Sequence, residues 1–246
     1  MNFLELEWNG IALAGSVQLP PGARKGLLLL HGFTGNRIEY TYFFAELARQ
    51  LEGRGIATFR FDFPGCGESG GNFADITLAQ QAGVTRFLLS ELTPRYPQLE
   101  WHLLGFSMGG RVALQAATAC GGQLQSLVLL APAMNLADVV AQAHAQGVPL
   151  VDGSSDFLGM PIGVPLLEEL RANDPLSGVG ELDLPVLIVH GEGDLAVPVG
   201  SSAALAQALP LVRREIWPLA DHTFSRLSWR RELAQRLADW VQQPLG

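Results

Sequence analysis

Trp101-His102-Leu103-Leu104-Gly105-Phe106-Ser107-Met108-Gly109-Gly110-Arg111-Val112-Ala113-Leu114 reads as an apolar strand that turns straight into a helix. The residues up to Phe106 are apolar apart from His102, and helix formers begin immediately after Ser107. Glycines stand two residues to either side of that serine, where a sharp strand-to-helix turn crowds the backbone and leaves no room for a Cβ. Working outward, the same rhythm recurs. Apolar strands are expected at Gly26–His31, Ile56–Phe61, Leu124–Leu130, Val186–His190 and Arg213–Trp217, as well as Trp101–Phe106. Amphipathic helices are expected at Ile38–Glu52, Thr77–Leu92, Met108–Ala119, Ser201–Ala208 and Trp229–Val241. Near-continuous apolar strands separated by helices imply an α/β architecture, a mostly parallel sheet covered on both faces.

The first twenty residues follow a different rule. Phe3 to Trp8 alternates apolar and acidic residues, Asn9-Gly10 follows, and a second extended run spans Ile11 to Leu19. Asn-Gly between two such runs signals a hairpin, which adds antiparallel edge strands and brings the sheet to about eight. A second departure lies between Ala131 and Pro185, more than fifty residues without a clear core strand. Asn135 is placed to cap a helix through Gln146 that Gly147 ends, and Pro165 to open another through Arg171. A connection this long in one domain of residues 1–246 is usually functional, and a small lid insertion over about 134–180 is expected.

Composition narrows the function. The 246 residues carry a net charge of −8, and their basic residues are 15 arginines and the single Lys25, scattered along the chain. Such a balance argues against a nucleic-acid surface or a stable membrane association. Hydrophobic residues make up 48% and charged ones 16%, which excludes a disordered chain. No apolar run approaches a membrane span, and the opening residues lack the layout of a signal peptide, so a cytoplasmic location is expected. Cys66 and Cys120 are too few for a disulfide framework or a zinc site.

Two stretches match Gly-x-Ser-x-Gly, at Ser69 and at Ser107. Ser69 follows Pro64-Gly65-Cys66-Gly67 and precedes more loop, so it reads as a polar loop residue. Ser107 has the strand-turn-helix context that presents a hydroxyl at the carboxyl edge of a sheet. A serine hydroxyl is a weak nucleophile unless a base takes its proton and an acid orients the base. His222, in the loop Leu219-Ala220-Asp221-His222-Thr223-Phe224 after the last strand, lies at that same edge. His31 and His190 end strands and suit packing or loop-ordering roles, His102 lies inside a strand, and His144 lies in the insertion. For the acid, Asp194 follows the strand Val186–His190 by a short turn, with Glu192 as its rival. Asp183 precedes that strand, and Asp221 adjoins the histidine. An oxyanion would be met by the backbone N–H of Met108 and one from His31-Gly32-Phe33-Thr34-Gly35, where Phe33 is best placed.

These marks, with Arg60-Phe61-Asp62-Phe63-Pro64-Gly65-Cys66-Gly67-Glu68-Ser69 and His190-Gly191-Glu192-Gly193-Asp194-Leu195-Ala196-Val197-Pro198, resemble the α/β-hydrolase superfamily from about Gly26 to Val241. Within it the chain is similar to bacterial carboxylesterases of the cinnamoyl (feruloyl) esterase and monoacylglycerol lipase type. The resemblance implies a triad of Ser107, Asp194 and His222, with Phe33 and Met108 as oxyanion donors; no ligand cluster or phosphate-binding glycine fingerprint stands out in the sequence, so no metal or organic cofactor is expected. It implies a carboxylesterase for a small-molecule ester. Two other readings are a peptidase or amidase anchored by lid acids (Asp138, Asp152, Asp156, Glu168, Glu169) and a silent ligand receptor. The apolar lid residues would partly line an acyl pocket, favouring soluble esters with short-to-medium acyl or aryl-acyl groups.

Overall fold

In the computed structural model, which describes residues 1–120 and 122–245, Asn9 and Gly10 adopt left-handed backbone with φ of 50° and 78°. That is the twist a two-residue hairpin needs, and it joins β1 (Asn2–Trp8) to β2 (Ile11–Gln18) as antiparallel partners. The chain continues through β3 (Lys25–Leu30), α1 (Phe43–Glu52), β4 (Ile56–Phe61), α2 (Leu78–Arg95), β5 (Glu100–Phe106), α3 (Met108–Cys120) and β6 (Leu124–Leu130). An insertion holds α4 (Leu136–Gln146), the short strands β7 (Val148–Pro149), β8 (Ser155–Phe157) and β9 (Met160–Ile162), and α5 (Val164–Ala172). β10 (Val186–Gly191), α6 (Val199–Ala208), β11 (Val212–Trp217) and α7 (Leu227–Gln242) complete it. The main sheet has eight strands in the order β1-β2-β4-β3-β5-β6-β10-β11, antiparallel at the β1-β2-β4 edge and parallel elsewhere.

Residue parity divides the core. Leu27 and Leu29 of β3 pack with Phe43, Leu47, Leu233 and Leu237 of α1 and α7. Leu28 and Leu30 pack on the opposite face with residues of α2 and α3 such as Leu88, Leu89, Val112 and Ala116. Successive strand side chains point to opposite faces, so a run of four leucines supplies both cores.

Two local expectations are corrected. The helix expected from Ile38 begins only at Phe43, because Glu39, Thr41 and Tyr42 take φ of 62°, 51° and 61°. Tertiary bonds hold that stretch: Arg230 donates to the Thr41 carbonyl at 2.9 Å and to its hydroxyl at 2.6 Å. Asn135 stands at the start of α4 without capping it, its amide donating instead to the Ala196 carbonyl at 3.3 Å. Gly147 ends α4 as expected, in an extended conformation; a Cβ there would sit 2.2 Å from Ser155 Oγ. The insertion also contains a three-stranded antiparallel sheet, β7-β8-β9, whose strands of two or three residues are too short to show a period.

His102 is completely buried on β5, with Nδ1 2.7 Å from Ser126 Oγ and no partner for Nε2. Burial, helped by Lys25 and opposed by Glu100, lowers its pKa to about 4. The unfolded chain therefore binds a proton at about pH 6.5 that the folded chain refuses until about pH 4. Stability is full above pH 6.5 and falls as the pH drops through this window, by about 3 kcal/mol from this residue. Urea unfolding at pH 7 and pH 4.5 checks it: His102→Asn should show a clearly smaller loss than the unsubstituted protein. An equal loss would clear His102 of the effect.

Candidate active site

Ser107 sits between β5 and α3 with φ of 53°, a left-handed conformation that costs about 1–3 kcal/mol for a non-glycine residue. The flanking glycines make the turn possible. A Cβ on Gly105 would lie 2.2 Å from the Gly109 carbonyl oxygen, and one on Gly109 would lie 2.2 Å from that of Leu30. The turn is anchored on both sides, with Ser107 N donating to Leu130 O at 2.9 Å and Ala133 N donating to Ser107 O at 3.1 Å.

Gly191 and Gly193 bring the acid to the histidine. A Cβ on Gly191 would lie 2.1 Å from the Ala220 carbonyl oxygen, and Gly193 N donates to that oxygen at 2.9 Å. The turn after β10 is thereby pressed against the loop carrying His222. His222 Nδ1 lies 2.7 Å from Asp194 Oδ2, and its ring packs on Phe106, the neighbour of Ser107, with centroids 4.9 Å apart.

Asp194 accepts three hydrogen bonds, and His190 Nε2, which donates to the Val197 carbonyl at 3.0 Å, stands close by. Ala196 N and Val197 N bond Oδ1 at 2.9 and 2.8 Å, while Oδ2 faces His222 and, at 3.2 Å, His190 Nε2. Burial pushes this carboxyl up, but the neighbouring His190, the bond and charge of His222 and the Val197 N–H outweigh it. Asp194 is held well below the usual carboxylate range. At the end of its strand His190 suits a packing or loop-ordering role; its approach to Asp194 has no sequence signal beyond a four-residue spacing. The rival carboxylates lie elsewhere. Glu192 is exposed, and Asp221 accepts bonds from Ser225.

Gly32 lies against the turn, its missing Cβ 3.3 Å from Ser107 Cβ. Among the described residues neither Phe33 N–H nor Met108 N–H has a protein acceptor. The loop is braced by a residue that the sequence analysis placed in a helix: Glu39 accepts from Gly32 N at 2.6 Å and from Tyr40 N at 3.2 Å. His31 steadies the other side, its Nδ1 donating to Gly32 O at 3.0 Å and its Nε2 accepting from Phe63 N at 3.1 Å. Burial holds the His31 pKa below its ordinary value against the pull of Glu39, the Gly32 carbonyl and Asp62. A neutral imidazole is what that pair of bonds requires.

Ser69 is no free hydroxyl. It donates to Asp62 O at 2.7 Å and accepts from Ala14 N at 2.9 Å, tying its loop to β2. The acids of the insertion are partly engaged as well. Glu169 accepts from Leu78 N and Ala79 N at 2.5 and 2.8 Å, Asp152 from Ser154, and Asp156 from Gly159 N. Among the described residues no three His, Cys, Asp or Glu side chains form a group that could hold a metal ion. No described helix is long and apolar enough to cross a membrane.

Known proteins bear on this arrangement in three ways. The model of the family described as "Serine aminopeptidase, S33" matches residues 21–152, just over half of the chain. A monoacylglycerol lipase of Mycolicibacterium smegmatis is 23% identical, with 94% of this chain and 93% of the relative covered. A pimeloyl-[acyl-carrier protein] methyl ester esterase of Nitrosomonas europaea is 24% identical over 80% of this chain and 88% of its own. Among solved structures, Est1E of Butyrivibrio proteoclasticus with ferulic acid bound superposes with a TM-score of 0.83 at 21% identity, covering 98% and 99% of the two chains. The chain therefore belongs to the serine aminopeptidase S33 family, and is a hydrolase of the esterase and lipase type on the α/β-hydrolase fold.

Proposed function

We propose that the protein is a serine carboxylesterase that hydrolyses soluble short-to-medium acyl or aryl-acyl esters through an acyl-Ser107 intermediate. The observation that carries this reading is the strained turn at Ser107, with the Asp194-bonded imidazole of His222 packed on the adjacent Phe106. In the proposed cycle His222 Nε2 takes the Ser107 proton as Oγ attacks the ester carbonyl carbon. The developing oxyanion is met by the N–H groups of Phe33 and Met108. His222 then returns the proton to the leaving alkoxide, activates a water, and the acyl group departs as the carboxylic acid. Asp194 stays ionised throughout, holding Nδ1–H and stabilising the imidazolium.

Glu39 enters this cycle as a positioning residue for the Gly32-Phe33 turn. Glu39→Ala should lower kcat about tenfold while KM changes little, since only transition-state contact is weakened. Glu39→Gln, which keeps an acceptor for Gly32 N–H, should recover most of the rate. A matched rise in KM with kcat unchanged would show that Glu39 serves ground-state binding instead.

The insertion is proposed as a fastened lid. Glu169 of α5 caps the start of α2, and a Cβ on Gly163 would lie 1.7 Å from the Ala74 carbonyl oxygen, so the two backbones touch. Leu166, Leu167 and Leu170 are buried beneath it. A lid bonded to the body this way has no reason to open at an oil-water interface. Its partly exposed Val139, Phe157, Met160 and Val164 are the proposed acyl contacts. Each methylene of fit is worth about 0.8 kcal/mol, so kcat/KM for p-nitrophenyl esters should climb up to roughly fourfold per carbon and then fall before the long chains. A maximum at the palmitate ester, with a jump in rate above its solubility limit, would instead mark a lipase. Of the five acids raised for the amidase reading, Glu169 has both oxygens taken by backbone N–H groups.

A further inference from the structure

Arg111 stands one helical turn beyond Ser107 on α3 and is only 8% exposed. Among the described residues it has no hydrogen bond and no ion pair, whereas the buried guanidiniums of Arg37 and Arg230 are bonded to carboxylates. None of the Arg111 nitrogens is fully shut off from water, so the guanidinium meets solvent through the space it faces, and its five donors match a carboxylate in a bidentate fork. Nearby acids do not supply one. Glu169 has both oxygens on the N–H groups of Leu78 and Ala79, and Asp174 lies beyond ion-pair distance. Burial accordingly lowers the Arg111 pKa, with Asp174 and Glu169 opposing only through their field.

The side chain lines a cavity of about 370 Å³ between α2, α3, α5 and the segment 173–181. None of Ser107, Asp194, His222, Phe33 or Met108 lines it. Its volume falls in the range of small-molecule sites, roughly 300–1,000 Å³. The lining has three chemical parts. Arg111 supplies the cation, the buried Leu78, Leu114 and Val179 form an aliphatic wall, and the exposed Asp174 and Glu181 give a negative rim. A plain anion would be drawn to Arg111 and repelled at the rim. A molecule with a carboxylate, an ammonium and an aliphatic body satisfies all three.

We infer that this cavity is a binding site for an α-amino acid with an aliphatic side chain, its carboxylate on Arg111 and its ammonium toward Asp174 and Glu181. The site is separate from the ester chemistry proposed for Ser107 and does not depend on it. Isothermal titration of the full chain with L-leucine tests it, beside 4-methylpentanoate, which lacks the ammonium, and 3-methylbutylamine, which lacks the carboxylate. Leucine should bind at one site, 4-methylpentanoate several-fold more weakly, and the amine not measurably. Arg111→Gln should weaken leucine roughly 10- to 100-fold, the range for losing hydrogen bonds to a charged group. Arg111 has no protein partner in the free chain, so Arg111→Gln breaks no hydrogen bond or ion pair and should leave the unfolding temperature close to that of the unsubstituted protein. Glu181→Gln, an exposed change, should weaken leucine several-fold and leave ester hydrolysis as it was. Protein whose Ser107 has been blocked by a fluorophosphonate should bind leucine with unaltered affinity. No binding of leucine at millimolar concentration, equal binding of 4-methylpentanoate, unchanged affinity in Arg111→Gln, or loss of binding on blocking Ser107 would each overturn the site.

Discussion

Ser107→Ala is expected to cut ester turnover to the residual rate that binding and the two proposed backbone donors alone provide. In the triad precedent, catalysis without the nucleophile falls by roughly 10⁶. The fold should survive, because alanine tolerates the turn about as well as serine and the anchoring bonds at Ser107 are backbone bonds to Leu130 and Ala133. The matched control is Ser69→Ala, which removes the side-chain bonds to Asp62 O and Ala14 N. That change should cost about 1–3 kcal/mol of stability and leave kcat within a few-fold. A fluorophosphonate probe followed by peptide mapping should find its label on Ser107 alone. Label on Ser69, or normal turnover in Ser107→Ala, sinks the assignment of the nucleophile.

Asp194→Asn should lower kcat by roughly 10⁴, as in the corresponding change of the triad precedent. The physical cause is the acceptor set around Oδ2. An ionised carboxylate accepts from His222 Nδ1–H at 2.7 Å and so leaves the lone pair on Nε2, the atom proposed to take the Ser107 proton. An asparagine can turn its NH₂ toward His222 and select the wrong tautomer. The two N–H groups of Ala196 and Val197 on Oδ1 tie the residue in place, so the variant should fold with its geometry kept. Glu192→Gln, altering an exposed carboxylate, should cost little. Measuring kcat for both variants decides between the two acids, and reversed effects would transfer the role to Glu192.

The parallel sheet was legible before any coordinates, since runs such as Leu27–Leu30 and Leu127–Leu130 can be satisfied only where both faces of a strand are covered. The hairpin was legible from Asn9-Gly10, because few residue pairs tolerate two successive positive φ values. The candidate nucleophile was legible too: the glycines two residues to either side of Ser107 record, as composition, the lack of room between β3, β5 and α3. Each of these signals is local, a period or a missing Cβ written into consecutive residues. What stayed hidden rests on partners far apart in the chain. Thr41 leaves the helical pattern because Arg230, 189 residues later, binds it. Glu169 looked like a free lid acid until folding set it on the N–H groups of Leu78 and Ala79, some ninety residues earlier. His190 meets Asp194, and Arg111 faces its cavity without a counter-ion, for reasons of packing that no spacing encodes. Periodicity reports which face of an element is dry. Which polar groups meet there is set by the docking of whole elements, and that information exists only in three dimensions.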